Sequence, residues 1–354
     1  MKILKSIGIL ALLISLFSSI GYNYHLNTPD YEQLAEKIIF NTVIINTTSQ
    51  DPKNVQAAAK NGASGSGTGF FVKVTDTHAW VITNHHVIKG WIDFPEYMKV
   101  DVYVANRPWT YSAELVGYDL IADLAVIKIE KQDSENGWTA LPWASEDSYR
   151  EGTEIMTVGH GFNLHWSVTR GIITALDRIQ MQPLQFMMQH DAVINQGNSG
   201  GPVVNLKGEV VAVNDMIISP GSQRTGVGAW NGISLAIVGW QAKRSYDMIM
   251  ETGTVTYPQF DGFEIQLTTL DDVKNIHRSY AKVANVDPQG EAYKIGLRDD
   301  DIIISVDGVE IGGLLGFIHH IMHKDAGDTI VIKVIRNNET IDINYVLELF
   351  TTEK

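Results

Sequence analysis

Asp191-Ala-Val-Ile-Asn-Gln-Gly-Asn-Ser-Gly-Gly-Pro202 is the stretch on which the reading of this chain turns, because it sets Ser199 inside Gly-Asn-Ser-Gly-Gly-Pro. A serine flanked by glycines can be held in a tight turn, its hydroxyl exposed and the neighbouring backbone N–H groups aimed at one point. Acyl transfer needs that combination: a nucleophile, with donors placed where the tetrahedral oxyanion will form. Gly-rich turns are common, so the weight falls on whether the chain also supplies a base and an orienting acid.

Both have candidates upstream. In Ala79-Trp-Val-Ile-Thr-Asn-His-His-Val-Ile88, an apolar run of strand character ends in two adjacent histidines. If the strand or a tight turn continues, His85 and His86 point in opposite directions and only one faces a cleft. In Gly117-Tyr-Asp-Leu-Ile-Ala-Asp-Leu-Ala-Val-Ile-Lys-Ile129, Asp123 opens a strongly apolar strand. A carboxylate fixed there can hold an imidazole tautomer and stabilise the imidazolium that forms in the transition state. Asp119 is the rival, expected as a solvated turn residue. The chain order His, Asp, Ser is that of the chymotrypsin-type double β-barrel, and differs from the subtilisin and α/β-hydrolase orders.

The chain resembles an HtrA-type (Deg-type) trypsin-like serine protease with one C-terminal PDZ domain. The blocks that carry the resemblance run in order: Gly65-Ser-Gly-Thr-Gly-Phe-Phe-Val72, Thr83-Asn-His-His-Val87, Ala122-Asp-Leu-Ala-Val-Ile-Lys128, Gly197-Asn-Ser-Gly-Gly-Pro202 and Gly208-Glu-Val-Val-Ala-Val-Asn214. The resemblance selects His86, Asp123 and Ser199 as the triad and implies the backbone N–H groups of Gly197 and Ser199 as the oxyanion hole. It implies a pocket between Ile194 and the segment from Asn214 to Asn231. Apart from Asp215, neither part holds an acid placed to bind a basic side chain. Ile194, Met216, Ile217 and Ile218, with Asn195 also in the pocket, favour a small or medium apolar side chain before the scissile bond. It also implies a homotrimer assembled through the protease domains. Digestive relatives carry an aspartate before the nucleophile that pairs with a newly freed N-terminus. Asn198 stands at that position, so the resemblance implies switching by loop ordering around Asn195 and Gln196 instead.

Composition agrees with an exported acidic protein of two domains. With 354 residues, 44% of them hydrophobic and 19% charged, the chain can bury two cores. A formal charge of −14 argues against nucleic acid, which needs a basic face to release counterions. Zero cysteines exclude disulfides and thiolate metal sites. Lys2 and Lys5 precede an apolar run from Ile7 to Ile20, which fits a secretory signal better than a full membrane span, with a retained anchor as the alternative. The expected organisation is an export segment or anchor over 1–25, a mainly β protease domain over 28–252 and a small α+β PDZ domain over 257–350. The compartment is the periplasm or another extracytoplasmic space.

Several local patterns refine this layout. Asp30 is placed to cap a helix. Gly65-Ser-Gly-Thr-Gly69 suggests a phosphate cradle, but it runs into a strand rather than a helix. Val306-Asp-Gly308 reads as a hairpin. A PDZ domain captures extended peptides or free C-termini by strand addition. The expected carboxylate loop matches Phe263-Glu-Ile265, with Glu264 where glycine is usual. His319, His320 and His323 sit at helical spacings, but with only Asp325 nearby they read as a solvated or peptide-facing helix stretch rather than a metal site. The chemistry requires no cofactor. The leading function is an extracytoplasmic endopeptidase for misfolded or regulatory proteins, and the alternative is a non-catalytic, chaperone-like peptide-binding protein.

Overall fold

A computed structural model describes residues 30–50, 64–132, 137–179, 184–218, 232–260, 262–268 and 280–351. The expected export segment, most of the 48–67 loop and residues 219–231 of the pocket segment lie outside the described residues. Helix α1 (Tyr31–Phe40) starts where Asp30 accepts a hydrogen bond from the Gln33 N–H at 2.9 Å, and it buries Leu34 and Ile38. Capping of this kind satisfies one of the orphan donors of a first turn.

Two closed antiparallel barrels follow. The first contains β1 (Thr42–Ser49), β2 (Gly65–Val74), β3 (His78–Asn84), β4 (Met98–Val104), β5 (Thr110–Asp119) and β6 (Leu124–Glu130), with α2 (His85–Asp93) between β3 and β4. Val43, Ile45, Phe71, Val81, Val102 and Ile127 fill its interior. The second contains β7 (Glu154–Gly159), β8 (Ser167–Ile179), β9 (Phe186–His190), β10 (Pro202–Asn205), β11 (Val210–Ile217) and β12 (Ser234–Val238). Its strand order, β7-β8-β9-β12-β11-β10, repeats that of the first barrel, β1-β2-β3-β6-β5-β4. Gly65 to Gly69 lies in β2, so the glycine-rich run is a strand and not a phosphate cradle.

Helix α3 (Gly239–Thr252) closes the protease domain and ends at Gly253, whose φ of +77° suits the left-handed cap. Asp119 is completely buried beneath this helix. It accepts from Ser245 Oγ (2.6 Å), Tyr257 Oη (2.5 Å) and the N–H groups of Ile121 and Ala122. The expectation of a solvated turn residue is therefore corrected: Asp119 is a polar staple between the first barrel, α3 and Tyr257 just beyond it.

In the C-terminal domain, β13 (Thr256–Gln259) pairs with β20 (Glu348–Thr351). The main sheet runs β14 (Glu264–Leu267), β15 (Ala281–Ala284), β16 (Ile302–Val306), β18 (Thr329–Arg336), β19 (Glu339–Val346), with β17 (Val309–Glu310) paired to β16. Asp307 (φ 50°) and Gly308 (φ 78°) make the β16–β17 hairpin, as a tight primed turn requires. Helices α4 (Glu291–Lys294) and α5 (Gly313–Met322) complete the domain. Met322 of α5 reaches into the protease-domain core, so the two domains are packed together. Among the described residues, no helix is long and apolar enough to cross a membrane.

Candidate active site

His85 and His86 occupy the first turn of α2, since β3 ends at Asn84. Successive residues of a helix diverge by about 100° rather than by the reversal of a strand. That is enough to separate them: the His85 side chain is buried against Tyr118, whereas that of His86 is 46% exposed. Asp123 reaches both faces of this turn. Its Oδ1 accepts the His86 N–H at 2.9 Å and its Oδ2 is hydrogen-bonded to His86 Nδ1. Its carbonyl accepts from His85 N–H (3.1 Å) and Asn84 Nδ2 (2.9 Å). Asp123 holds a φ of +55°, an unusual value for a non-glycine residue, which these four bonds stabilise.

With Asp123 accepting at Nδ1, neutral His86 carries its lone pair on Nε2, the nitrogen a general base uses. Burial opposes protonation of His86, but the hydrogen bond and charge of Asp123 and the charge of Asp215 outweigh it and hold the pKa above 6.5. Burial pushes the His85 pKa the other way, below 6.5.

Ser199 comes from the other barrel, in the turn between β9 and β10, and is fastened to β2 across the seam. Thr68 N–H donates to the Ser199 carbonyl at 2.8 Å and Thr68 Oγ1 to the Gly197 carbonyl at 2.7 Å. Gly197 (φ +105°) and Gly200 (φ +84°) both take left-handed backbone here. A Cβ on Gly200 would lie 2.1 Å from the Thr68 carbonyl oxygen. The turn is closed by Asn198 N–H to Asn195 O, Gly200 N–H to Asn214 O and Gly201 N–H to Asn198 O. The Gln196 carbonyl is taken by Phe162 N–H at 2.9 Å. The buried Asn198 side chain packs against Gly159 and Gly161. A cleft of about 330 Å³ lined by Ser66, Phe162, Gln196 and Gly197 opens beside the turn.

No hydrogen bond joins Ser199 to His86. Ser199 Oγ instead donates to the Asp215 carbonyl at 2.9 Å. The carboxyl of Asp215 lies behind the imidazole, 3.9 Å from His86 Nδ1, with a ligand atom each from His86, Asp123 and Asp215 within 4.8 Å of one another. Burial and the Asp123 charge push its pKa up to about 7. Gln185 Nε2 donates to its Oδ2 at 3.2 Å. Sequence reasoning noted Asp215 only as an acid in the pocket segment, and nothing local to Asn214-Asp-Met216 signals its place beside the Asp–His pair. The role of Thr68 was missed too, although it sits inside the quoted Gly-Ser-Gly-Thr-Gly block.

The remaining candidates are placed as follows. Ile194 is buried, Asn195 half-buried, and Met216 and Ile217 lie half-buried at the end of β11. Phe263 packs in the PDZ core, while Glu264 and Ile265 open β14. Among the described residues this strand pairs only with β15 and is an edge of its sheet. Glu264 is exposed and accepts from Asn285 Nδ2 at 2.7 Å.

Comparison with known proteins agrees with this architecture. Residues 67–213 match the trypsin-like peptidase domain and residues 263–347 the PDZ domain. A probable periplasmic serine endoprotease DegP-like of Chlamydia trachomatis is 33% identical over 294 residues, covering 81% of this chain and 54% of its own length. The periplasmic serine endoprotease DegP of Salmonella typhimurium is 29% identical over 290 residues, covering 81% of this chain and 57% of its own. The chain thus spans about half the length of the curated relatives it matches. The solved structure of the HtrA-type protease AlgW with tripeptide is similar with a TM-score of 0.73 at 25% identity, over 92% of this chain and 99% of that one. A serine endoprotease from Yersinia pestis gives 0.60 at 25% identity, over 91% and 99%. A trypsin-like peptidase domain followed by one PDZ domain, the chain belongs to the HtrA-type (Deg-type) family of trypsin-like serine proteases.

Proposed function

We propose that the chain is an extracytoplasmic serine endopeptidase acting on misfolded or regulatory proteins. The observation that carries the reading is the clamp of Asp123 on His86, connected through Asp215 to a glycine-seated Ser199 of the opposite barrel. In this mechanism His86 Nε2 takes the proton of Ser199 as Oγ attacks the scissile carbonyl. The Gly197 and Ser199 N–H groups stabilise the oxyanion, and His86 then protonates the leaving amine. Water repeats the cycle on the acyl-enzyme.

Before attack, Ser199 must exchange the Asp215 carbonyl for His86 as its hydrogen-bond partner. The bond to Asp215 therefore describes a resting arrangement, in keeping with a site switched by its loops. The open edge of β14 is the place for an extended peptide to add a strand. The relatives' periplasmic names and the apolar segment after Lys5 support export. Trimer assembly and a secretory signal over the N-terminal segment, with a retained anchor through residues 7–20 as the alternative, are part of the same proposal.

Casein degradation by protein lacking residues 1–25, beside Ser199→Ala, tests it with and without hydrophobic C-terminal peptides. Turnover lost in the variant supports the endopeptidase. Absence of both cleavage and fluorophosphonate labelling of Ser199 supports the non-catalytic, peptide-binding alternative.

A further inference from the structure

Away from the cleft, Glu146, His319 and His323 bring three potential ligand atoms within 4.8 Å of one another. Glu146 lies in a one-turn 3-10 helix of the protease domain, ahead of β7. His319 and His323 lie one turn apart at the end of α5 in the PDZ domain. The fold thus supplies, from 173 residues away, the carboxylate that the local sequence around the histidines lacks.

Both carboxylate oxygens of Glu146 face an imidazole nitrogen. Glu146 Oε1 is 2.8 Å from His319 Nε2, and Oε2 is 3.2 Å from His323 Nε2. Ligands at the usual metal–nitrogen and metal–oxygen distances of about 2.0–2.2 Å sit roughly 3.3–3.6 Å apart around a tetrahedral ion, so these hydrogen-bonded side chains need open by only about half an ångström to admit one. His323 Nδ1 lies 2.8 Å from the His319 carbonyl, which can only accept, so Nδ1 bears the hydrogen. Neutral His323 then turns an Nε2 lone pair toward a carboxylate oxygen. Two acceptors at that distance repel unless a proton or a metal ion lies between them. An N–H fixed by a backbone carbonyl is also the outer support that metal-bound histidines use.

The surroundings hold the rings in place. Trp240 packs 5.1 Å from the His319 ring and 4.5 Å from that of His323, and Phe186 lies 5.8 Å from His319. Arg244, the cation acting on His323 from α3, is turned to the Thr256 carbonyl and the Tyr257 ring. His320 faces Asp307 instead. All three ligand side chains are between 33% and 40% exposed, leaving room for solvent at the remaining coordination position.

We propose that Glu146, His319 and His323 bind a divalent transition ion of the Zn²⁺ class, with water completing the shell, and that the ion clasps the PDZ helix α5 to the protease domain. Two imidazoles among three ligands suit Zn²⁺, Cu²⁺ and Ni²⁺, whereas Ca²⁺ and Mg²⁺ prefer all-oxygen shells. Loss or gain of the ion would change how firmly α5 is tied to the protease domain.

Zn²⁺ titration of chelator-stripped full-length protein, followed by calorimetry and by thermal unfolding, tests the site. One ion per chain and a rise in Tm are expected. Affinity should fall roughly tenfold or more in Glu146→Gln, His319→Ala and His323→Ala, each checked for native circular dichroism, and stay unchanged in His320→Ala. Zn²⁺ held by His86, Asp123 and Asp215 would survive those substitutions and appear as a separate residual site. Unaltered binding in all three variants, or no Zn²⁺ binding by the parent protein, would overturn the proposal and leave a proton on His323 as the cation between the rings and Glu146.

Discussion

The hydroxyl of Ser199 and the carbonyl oxygen of Asp215 are 2.9 Å apart and hydrogen-bonded, while the side chain of the same Asp215 lies against the His86–Asp123 pair. One residue thus restrains the proposed nucleophile with its main chain and biases the proposed base with its carboxyl. The second effect has a sign that can be worked out.

Asp123 and Asp215 both raise the His86 pKa, and the base works only when neutral. The acid limb of kcat/KM is therefore expected above pH 6.5. Asp215→Asn removes a carboxyl that is only partly ionised near that pH and moves the limb downward by less than about one unit. The same variant changes stability. Asp215 is pushed up from 3.8 to about 7 in the folded protein, so between those values the native state holds a proton that the unfolded chain has released. Stability from this group is full below about pH 4 and is lost as pH rises to about 7. Urea unfolding at pH 5 and pH 8 should show a smaller drop for Asp215→Asn than for the parent.

Asp123→Asn keeps the shape at Asp123 but offers His86 Nδ1 a weaker, neutral partner and permits the wrong tautomer. A fall of roughly 10⁴ in kcat is expected, with KM little changed. Steady-state kinetics on a chromogenic peptide measures both. An equal rise in KM would mean that Asp123 acts in binding rather than on the base.

Gly200→Ala places a Cβ 2.1 Å from the Thr68 carbonyl, on backbone at φ +84°. The substitution should cost more than about 2 kcal/mol and displace the Ser199 turn. Unfolding curves and fluorophosphonate labelling should both respond; a variant that labels at the parent rate would refute the tight seat.

Asp119→Ala leaves the hydroxyls of Ser245 and Tyr257 and two backbone N–H groups without their acceptor. A loss of roughly 3–5 kcal/mol is expected from this buried network. Denaturant melts resolve that readily, and a change below 1 kcal/mol would contradict the stapling role.

At the PDZ edge, Glu264→Gly removes a negative charge from the start of β14. Affinity for peptides with a free C-terminal carboxylate should rise a few-fold, and amidated peptides should respond less. Fluorescence anisotropy with the two peptide forms separates the effects.

Much of this organisation was readable before any coordinates, for physical reasons. Strand β3 with the histidines after it, the apolar run behind Asp123 and the glycine-flanked Ser199 are local patterns whose chemistry is compressed into a few adjacent residues. The hairpin at Asp307-Gly308 and the cap at Asp30 were legible because turn and cap geometry restrict residue type. Asp119 misled because a carboxylate in a turn reads as solvated, and its partners Ser245 and Tyr257 are more than a hundred residues away. Asp215 was noticed for the wrong reason, since its position beside Asp123 is set by barrel closure. Glu146 had no visible link to His319 and His323 until the domains were packed together.

The seam between the barrels has a consequence for the nascent molecule. Residues 42 to 130 alone would own a polarised imidazole with no hydroxyl to deprotonate, and the second barrel alone a serine with no base. Each is half a reagent. On the proposed mechanism hydrolysis therefore reports complete assembly, and a chain still partly unfolded is chemically inert toward itself and its neighbours until Thr68 and Ser199 meet.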